Sequence, residues 1–215
     1  MNLKIHSETL SNSTAIFDNG DYLSAFGNIN FDSFDNKYFP KKGWYFNGDV
    51  QSFLYSSRFE DIFLMHTIFK AEAAYAQKLF RKGSFVLKSE GGFTVGEQSI
   101  PILNFFIGGY GYKPFNNFSH FYGYDFVGLT GNSYVMGSLS FDYEIFKKNH
   151  LNATANYANM GNDIFVNDGW LKLPTYSGYS VGYGLETIFG PVEIKQSWSP
   201  ETKDSFTWFG VGFWF

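Results

Sequence analysis

Several residue types and patterns are missing from this chain of 215 residues, and each absence removes a class of protein. There is no cysteine, which excludes a disulfide framework, thiolate metal ligands and a cysteine nucleophile. No run approaches the roughly 18 apolar residues of a membrane-spanning helix. The charge is not basic, since 16 Lys and Arg stand against 20 Asp and Glu, so we expect no nucleic-acid partner. The 4 histidines are scattered without paired spacing, and we expect neither a metal nor another cofactor.

The chain is instead rich in aromatic residues that recur with a period of two. Phe, Tyr and Trp make up 22% of the residues, and aromatic residues favour strands over helices. Almost every segment alternates with period two, and none repeats convincingly at 3.6. In SGYSVGYGLET, for example, Tyr179, Val181 and Tyr183 share one face, whereas Ser180 shares the other with glycines. The sequence therefore predicts an all-β protein whose strands have one bulky apolar face and one small or polar face.

This alternation predicts about ten strands, several near the ~9 to 11 residues that a tilted strand needs to cross a bilayer. The predicted strands are 2–10, 22–32, 44–55, 66–77, 85–95, 138–145, 151–159, 177–187, 190–198 and 206–215. Short and long connections alternate between them, as in an antiparallel up-and-down transmembrane β-barrel of the outer membrane. In that topology the C-terminus falls on the short-turn side, the periplasm, and we expect the long loop 97–131 to be directed into the lumen.

Two features favour a barrel whose apolar face meets lipid. A soluble lipid-binding β-barrel, the alternative, would turn that face inward. Opposite charges lie two residues apart on the polar faces of several strands, as on the wall of a polar lumen. Aromatic residues cluster near predicted strand ends, as in the girdles of outer-membrane barrels. The predicted lumen wall comprises Lys70, Glu72, Lys88, Glu90, Asp142 and Glu144.

Four stretches carry a family resemblance. In chain order they are NINFDSFDNKYFPKKGWYFNGDV, PILNFFIGGYGYKPFNNFSHFYGYDF, YSVGYGLETIFGPVEIKQSWSP and the terminal GVGFWF. Together they resemble the barrel of the bacterial surface antigen superfamily, which contains BamA, TamA and the two-partner secretion transporters. The last stretch is similar to that family's assembly signal, here Gly210, Gly212, Phe213 and Phe215. The resemblance implies a barrel of about sixteen strands, of which we expect residues 1–215 to be the C-terminal portion.

The tip of the long loop departs from the translocating members of that family. Their tip carries an Arg-Gly-aromatic motif whose Arg reaches into the lumen, whereas this chain has Tyr122-Gly123-Tyr124 followed by Asp125. The form FYGYDF is similar to barrels that follow a patatin-like phospholipase domain. The resemblance thus implies an outer-membrane anchor or translocation domain whose lipid acyl hydrolase would lie upstream. A BamA-like assembly or secretion barrel is the alternative. The expected partners are outer-membrane lipids, the barrel-assembly machinery and a second copy of the chain.

One motif suggests catalysis within the chain itself. Residues 178–182 read G-x-S-x-G, the nucleophile elbow of serine hydrolases, with Ser180 at its centre. An elbow needs a strained turn into a helix, whereas alternation here continues through Leu185 and is followed by Gly-Pro. We interpret Ser180 as a decoy and expect no catalytic residue in this chain. Its glycine neighbours would instead let another segment approach the wall.

The tip residues themselves suggest a structural role. A polar tip within a polar lumen needs hydrogen-bond partners, because buried polar groups are usually satisfied. We therefore expect Tyr122, Tyr124 and Asp125 either to bond to the charged wall or to remain solvated in a wet lumen.

Overall fold

The computed structural model describes residues 2–5, 20–56, 64–96, 103–111, 113 and 116–212. Ten strands form one antiparallel sheet in the order β1-β2-β3-β4-β5-β9-β10-β11-β12-β13. Those strands are β1 Asn2–Ile5, β2 Gly20–Asp32, β3 Gly43–Ser56, β4 His66–Phe80, β5 Gly83–Val95, β9 Ser133–Phe146, β10 Asn149–Gly161, β11 Tyr176–Thr187, β12 Gly190–Trp198 and β13 Ser205–Val211. The predicted all-β, up-and-down barrel architecture is confirmed. In the described residues no pairing joins the edge strands β1 and β13, so the sheet is not closed.

The strands are long, and most end within a few residues of their predicted limits. The predicted strand 2–10 is described only as Asn2–Ile5, since residues 6–10 lie outside the described residues. β9 begins earlier than predicted, at Ser133 rather than near residue 138. Its additional residues Tyr134 and Met136 are buried against the long loop, which lengthens the strand beyond its charged, alternating part. The predicted strand 206–215 is described only as Ser205–Val211, and Phe213 and Phe215 lie outside the described residues.

The two faces of the sheet differ as the alternation predicts. On β11, Val181 is 48% exposed, whereas the adjacent Ser180 is 1% exposed. On β9, Leu139 and Phe141 are exposed, and Asp142 is buried. The outer face therefore carries bulky apolar side chains and the inner face carries small and polar ones. This is the reverse of a soluble barrel and is typical of a barrel surrounded by lipid.

A second, smaller sheet was not predicted. Within the long loop, β6 Phe105–Ile107 pairs with β7 Phe118–Ser119 and β8 Leu129–Gly131. These strands are two or three residues long, too short to produce a readable alternation. We call the described part of residues 103–131 the plug, because it packs against the inner face of the main sheet. The hydrophobic core lies at this contact, where Phe105, Ile107 and Phe121 of the plug meet Tyr134 of β9 and Ala158 of β10.

The two ends of the sheet differ in their connections. Three turns of two residues join β4 to β5, β9 to β10 and β11 to β12, and the segment 33–42 joins β2 to β3 at the same end. We call this the short-turn end. The opposite, long-loop end holds the plug and the connection 162–175, which includes a short 3-10 helix, Gly169–Leu171.

Candidate functional site

One carboxylate anchors the base of the plug to the wall. Glu90, on the inner face of β5, is 2% exposed. Its side chain accepts a hydrogen bond from the Tyr134 hydroxyl at 2.8 Å and another from the Ser119 hydroxyl of β7. Lys70 Nζ and Lys88 Nζ lie 3.2 and 3.1 Å from its oxygens. Because a buried charge is costly unless paired and hydrogen-bonded, this cluster fixes where the plug meets the wall.

The same cluster contains four of the predicted wall residues. Lys88 Nζ lies 2.7 Å from Glu72 Oε1, so Glu72, Lys88, Glu90 and Lys70 form a connected network across β4 and β5. Lys70 Nζ also donates to the Phe118 carbonyl of the plug at 3.1 Å. The network thus binds both the backbone and a side chain of the plug.

The plug tip is held by strands that follow β9 in the sheet. Lys195 of β12 is 8% exposed, and its Nζ donates to the Tyr122 hydroxyl at 3.1 Å. The same Nζ lies 4.4 Å from the centre of the Tyr110 ring and 3.3 Å from Glu193 Oε1. Tyr110 stacks on Tyr122 and donates a hydrogen bond to Glu193. A desolvated ammonium between an aromatic face and a carboxylate is a strong anchoring arrangement.

A side-chain amide also fixes the tip backbone. Asn156 Oδ1 on β10 accepts from the Tyr122 backbone N–H at 3.1 Å, and its Nδ2 donates to the Tyr122 carbonyl at 3.5 Å. Tyr124 is buried, and its hydroxyl accepts from Ser199 at 3.2 Å. Gly123 packs against the Trp198 carbonyl.

The partners of the tip therefore differ from the expected ones. We expected bonds to Lys70, Glu72, Lys88, Asp142 or Glu144, but Tyr122 and Tyr124 bond instead to residues on or just after β10 and β12. Asp125 is exposed, and its side chain accepts from the adjacent Phe126 backbone N–H at 2.7 Å. The reason is topological: the loop begins after β5 and ends before β9, and its tip extends along the inner face past β9 to β10, β11 and β12.

Close approach to β11 explains two of its glycines. A Cβ at Gly178 would overlap the Tyr122 carbonyl oxygen, so only glycine allows the tip to lie there. A Cβ at Gly184 would lie 2.7 Å from the Phe39 ring. The inner face of β11 thus touches the plug near one end and a second inserted segment near the other.

That second segment, residues 33–42, packs against the inner face at the short-turn end, and we call it the lid. Phe39 is 4% exposed and stacks on His150 of β10 with ring centres 4.0 Å apart. Lys41 Nζ lies 2.5 Å from Glu144 Oε2, and Asn36 donates to Glu186 Oε1 at 3.0 Å. The lid was missed because sequence patterning showed it only as a connection of medium length.

Two predicted wall residues, Asp142 and Glu144, lie near the lid rather than near the plug tip. Asp142 Oδ2 lies 2.8 Å from His150 Nδ1, and His150 Nε2 lies 3.4 Å from Glu186 Oε1. Glu144 pairs with Lys41 of the lid. The six wall residues therefore divide into a plug-binding group on β4 and β5 and a lid-binding group on β9.

A polar cavity of about 160 Å³ lies beneath the plug. Its lining includes Lys88, His120, Ser138 and Thr154. A polar space of this size accommodates ordered water. Burial lowers the pKa of His120 to about 3, with Lys113 and Lys88 acting in the same direction, so its imidazole is neutral at neutral pH.

Two observations describe the surroundings of Ser180. Ser180 lies within β11, and its buried hydroxyl has no hydrogen-bond partner among the described residues. An activated serine is hydrogen-bonded to a general base. The described residues also contain no group of three or more His, Asp or Glu side chains placed to hold a metal ion.

The predicted assembly-signal residues are described only in part. Gly210 is buried in β13, and Gly212 follows that strand with its backbone N–H bonded to the Pro191 carbonyl at 3.0 Å. Phe213 and Phe215 lie outside the described residues. The described part of the chain contains no helix with the length and hydropathy that a membrane crossing requires.

A long-stranded sheet with an apolar outer face and a loop packed into its polar interior defines a class, the plugged outer-membrane β-barrels. The sequence model of the OMP85 superfamily matches residues 1–215, and the chain belongs to that superfamily. Comparison with curated protein sequences finds no significant match.

Among solved structures, the fold is similar to that of BamA from Haemophilus ducreyi lacking POTRA domains 1–3. The TM-score is 0.66 at 11% sequence identity, over 91% of this chain and 43% of the BamA chain. The chain therefore spans less than half the length of that structure. At this level of identity the likeness shows the fold alone.

Proposed function

We propose that this chain is the outer-membrane barrel that carries a patatin-like phospholipase, with the lipid acyl hydrolase domain upstream. The observation that supports this proposal most is the plug tip. Tyr122-Gly123-Tyr124 stands where translocating relatives carry an Arg, and the cation at this contact comes from Lys195 on the wall. Buried hydrogen bonds hold the tip at both its backbone and its side chains, which suits a closed anchor better than an open conduit.

An assembly or secretion barrel is the second candidate. Membership of the OMP85 superfamily favours it. In either case we propose a periplasmic C-terminus, contact with outer-membrane lipids, and insertion by the barrel-assembly machinery acting on the terminal Gly210 to Phe215 segment. Self-association of two copies is a further proposal, testable by crosslinking in the membrane.

A fluorophosphonate probe, which labels active serine hydrolases covalently, tests the proposed function. Outer membranes are labelled with the probe, and an antibody raised against this barrel then captures the native protein from them. Peptide mapping identifies the labelled serine. We expect label on a serine outside these 215 residues, with Ser180→Ala leaving the labelling unchanged. A native protein that carries no label and copurifies with nascent barrels would favour the assembly candidate. Label on Ser180 would contradict our interpretation of that residue.

A further inference from the structure

The positive charges of this chain are concentrated at one end of the barrel. Half of its 16 Lys and Arg lie in or beside three connections of the short-turn end. They are Lys37, Lys41, Lys42, Lys78, Arg81, Lys82, Lys147 and Lys148. Five acidic residues lie in the same region, namely Asp32, Asp35, Asp142, Glu144 and Glu186. Eight positive and five negative charges leave this end at about +3, although the whole chain is at -4.

The opposite end has the other sign. The described long-loop connections 162–175 and 199–204 contain two cations, Lys172 and Lys203. They contain four acidic residues, Asp163, Asp168, Glu201 and Asp204. The asymmetry is therefore a property of the ends of the barrel, and overall composition does not explain it.

Most cations of the short-turn end are available to a ligand. Lys41 pairs with Glu144. Six others are exposed, namely Lys42, Lys78, Arg81, Lys82, Lys147 and Lys148, and within the described residues none of the six forms a salt bridge. Unpaired surface cations at this density repel one another, so an anionic partner would stabilise them.

Two of these cations, Arg81 and Lys147, directly follow exposed aromatic residues of the outer face. Arg81 follows Phe80, which is 48% exposed and packs with Phe141 and Tyr143 on the outer wall. Lys147 follows Phe146, which is 71% exposed, and the neighbouring β11–β12 turn exposes Phe189. Aromatic residues at the edge of the apolar belt mark the membrane interface, and long cationic side chains next to them reach the headgroup layer.

We propose that the short-turn end is a binding surface for anionic phospholipid headgroups, formed mainly by Lys42, Lys78, Arg81 and Lys147. Charge complementarity and the adjoining aromatic residues favour a lipid over an acidic protein, because Arg81 and Lys147 directly follow Phe80 and Phe146, whose rings are exposed on the outer wall. This inference goes beyond the proposed function, since it needs no hydrolase domain. Only the assignment of these headgroups to the periplasmic leaflet rests on the proposed orientation.

Lipid retention measures this surface directly. The native full-length protein and its variants are purified in detergent containing equal amounts of phosphatidylglycerol and phosphatidylethanolamine, and the retained lipid is quantified by mass spectrometry. For the parent protein we expect enrichment of phosphatidylglycerol that decreases in high salt, since salt screens exposed charges. In the variant K42Q/K78Q/R81Q/K147Q the enrichment of phosphatidylglycerol should fall roughly tenfold or more, because attraction to an anionic surface adds up over nearby cations.

Two controls separate this effect from misfolding and from general charge. The double variant R81Q/K147Q should lose part of the enrichment, whereas K172Q/K203Q, which removes the same charge from the long-loop end, should retain it. Heat-modifiable migration and the protease digestion pattern should be unchanged in every variant. If the quadruple variant folds and retains as much phosphatidylglycerol as the parent protein, the proposal is wrong. Loss of an acidic protein partner by that variant would not change this conclusion. Equal loss in the K172Q/K203Q control would overturn the proposal as well.

Discussion

Lys195 holds the plug tip through both Tyr122 and Tyr110. Replacing it with Met keeps the length of the side chain but leaves Glu193 buried without its cation and removes the contact with Tyr110. Removing one partner of a buried ion pair costs about 3 kcal/mol or more. We therefore expect K195M to make the plug sensitive to protease between residues 103 and 131 while the wall strands stay resistant. The exposed Lys172→Met is the matched control, and equal sensitivity in both variants would contradict this account.

We expect His120 to make the plug sensitive to acid. Its folded pKa of about 3 lies below its ordinary value of 6.5, because burial and the nearby Lys113 and Lys88 disfavour the imidazolium, while Glu90 acts in the opposite direction. The unfolded or undocked plug therefore binds more protons between these two values. The stabilisation is fully present above pH 6.5 and is lost as the pH falls toward 3. Limited proteolysis at pH 7.5 and 4.5 should show loosening at the lower pH, with a smaller effect in His120→Asn. A plug equally resistant at both pH values would contradict the prediction.

At the residue scale, the charged inner wall could be predicted from the sequence, whereas the partners of the plug tip could not. The spacing of Lys88 and Glu90 was enough to predict a charged inner wall, because a strand puts residues two apart on one face. The partners of Tyr122 were not predictable in the same way. They depend on how far the plug extends along the inner face, which is fixed by tertiary packing of Phe105, Ile107 and Phe121.

At the scale of elements, the inner face of β11 contacts both inserted segments, the plug and the lid. Gly178→Ala would drive a methyl group into the Tyr122 carbonyl and displace the tip, and overpacking of this kind costs about 1 to 3 kcal/mol. Gly137→Ala on the outer face of β9 is a suitable control, since its nearest neighbour would be a Lys88 carbonyl at 3.8 Å. Thermal unfolding in detergent should show a lowered midpoint for G178A and little change for G137A. The reverse order of midpoints would contradict the assignment of the inner face.

The lid is an element whose opening can be measured, because the chain has no cysteine of its own. Ser180→Cys places one thiol on the inner face between the contacts of plug and lid. We expect that thiol to be protected from a water-soluble maleimide in the parent background. Adding Phe39→Ala removes the side chain stacked on His150 and should raise the labelling rate at least severalfold. Rapid labelling with Phe39 in place would show that the lid does not close this end.

The main strands were predictable as elements, and the inserted segments were not. Each main strand has enough residues for its alternation to be read, and the ten predicted strands correspond to the ten strands of the main sheet. The plug strands are too short, and the lid is held by contacts with residues more than a hundred positions away, such as Lys41 with Glu144. Their positions follow from tertiary contacts that no local pattern encodes.

At the scale of the whole molecule, the central claim is that the barrel is inverted, with its apolar face toward lipid and its polar face toward the plug. The exposed Val181 and the buried Ser180 are adjacent on β11, so they test this claim with minimal change of position. The family and the fold agree with it, but neither measures which side chains meet acyl chains.

The most direct measurement is the oxygen accessibility of a nitroxide spin label on V181C and on S180C in protein reconstituted into lipid vesicles. Oxygen concentrates among acyl chains, so a label that faces lipid collides with it often. The inverted barrel predicts high oxygen accessibility at position 181 and low accessibility at position 180. High accessibility at position 180 with low accessibility at position 181, or a protein that folds in water and does not insert into the vesicles, would contradict the account.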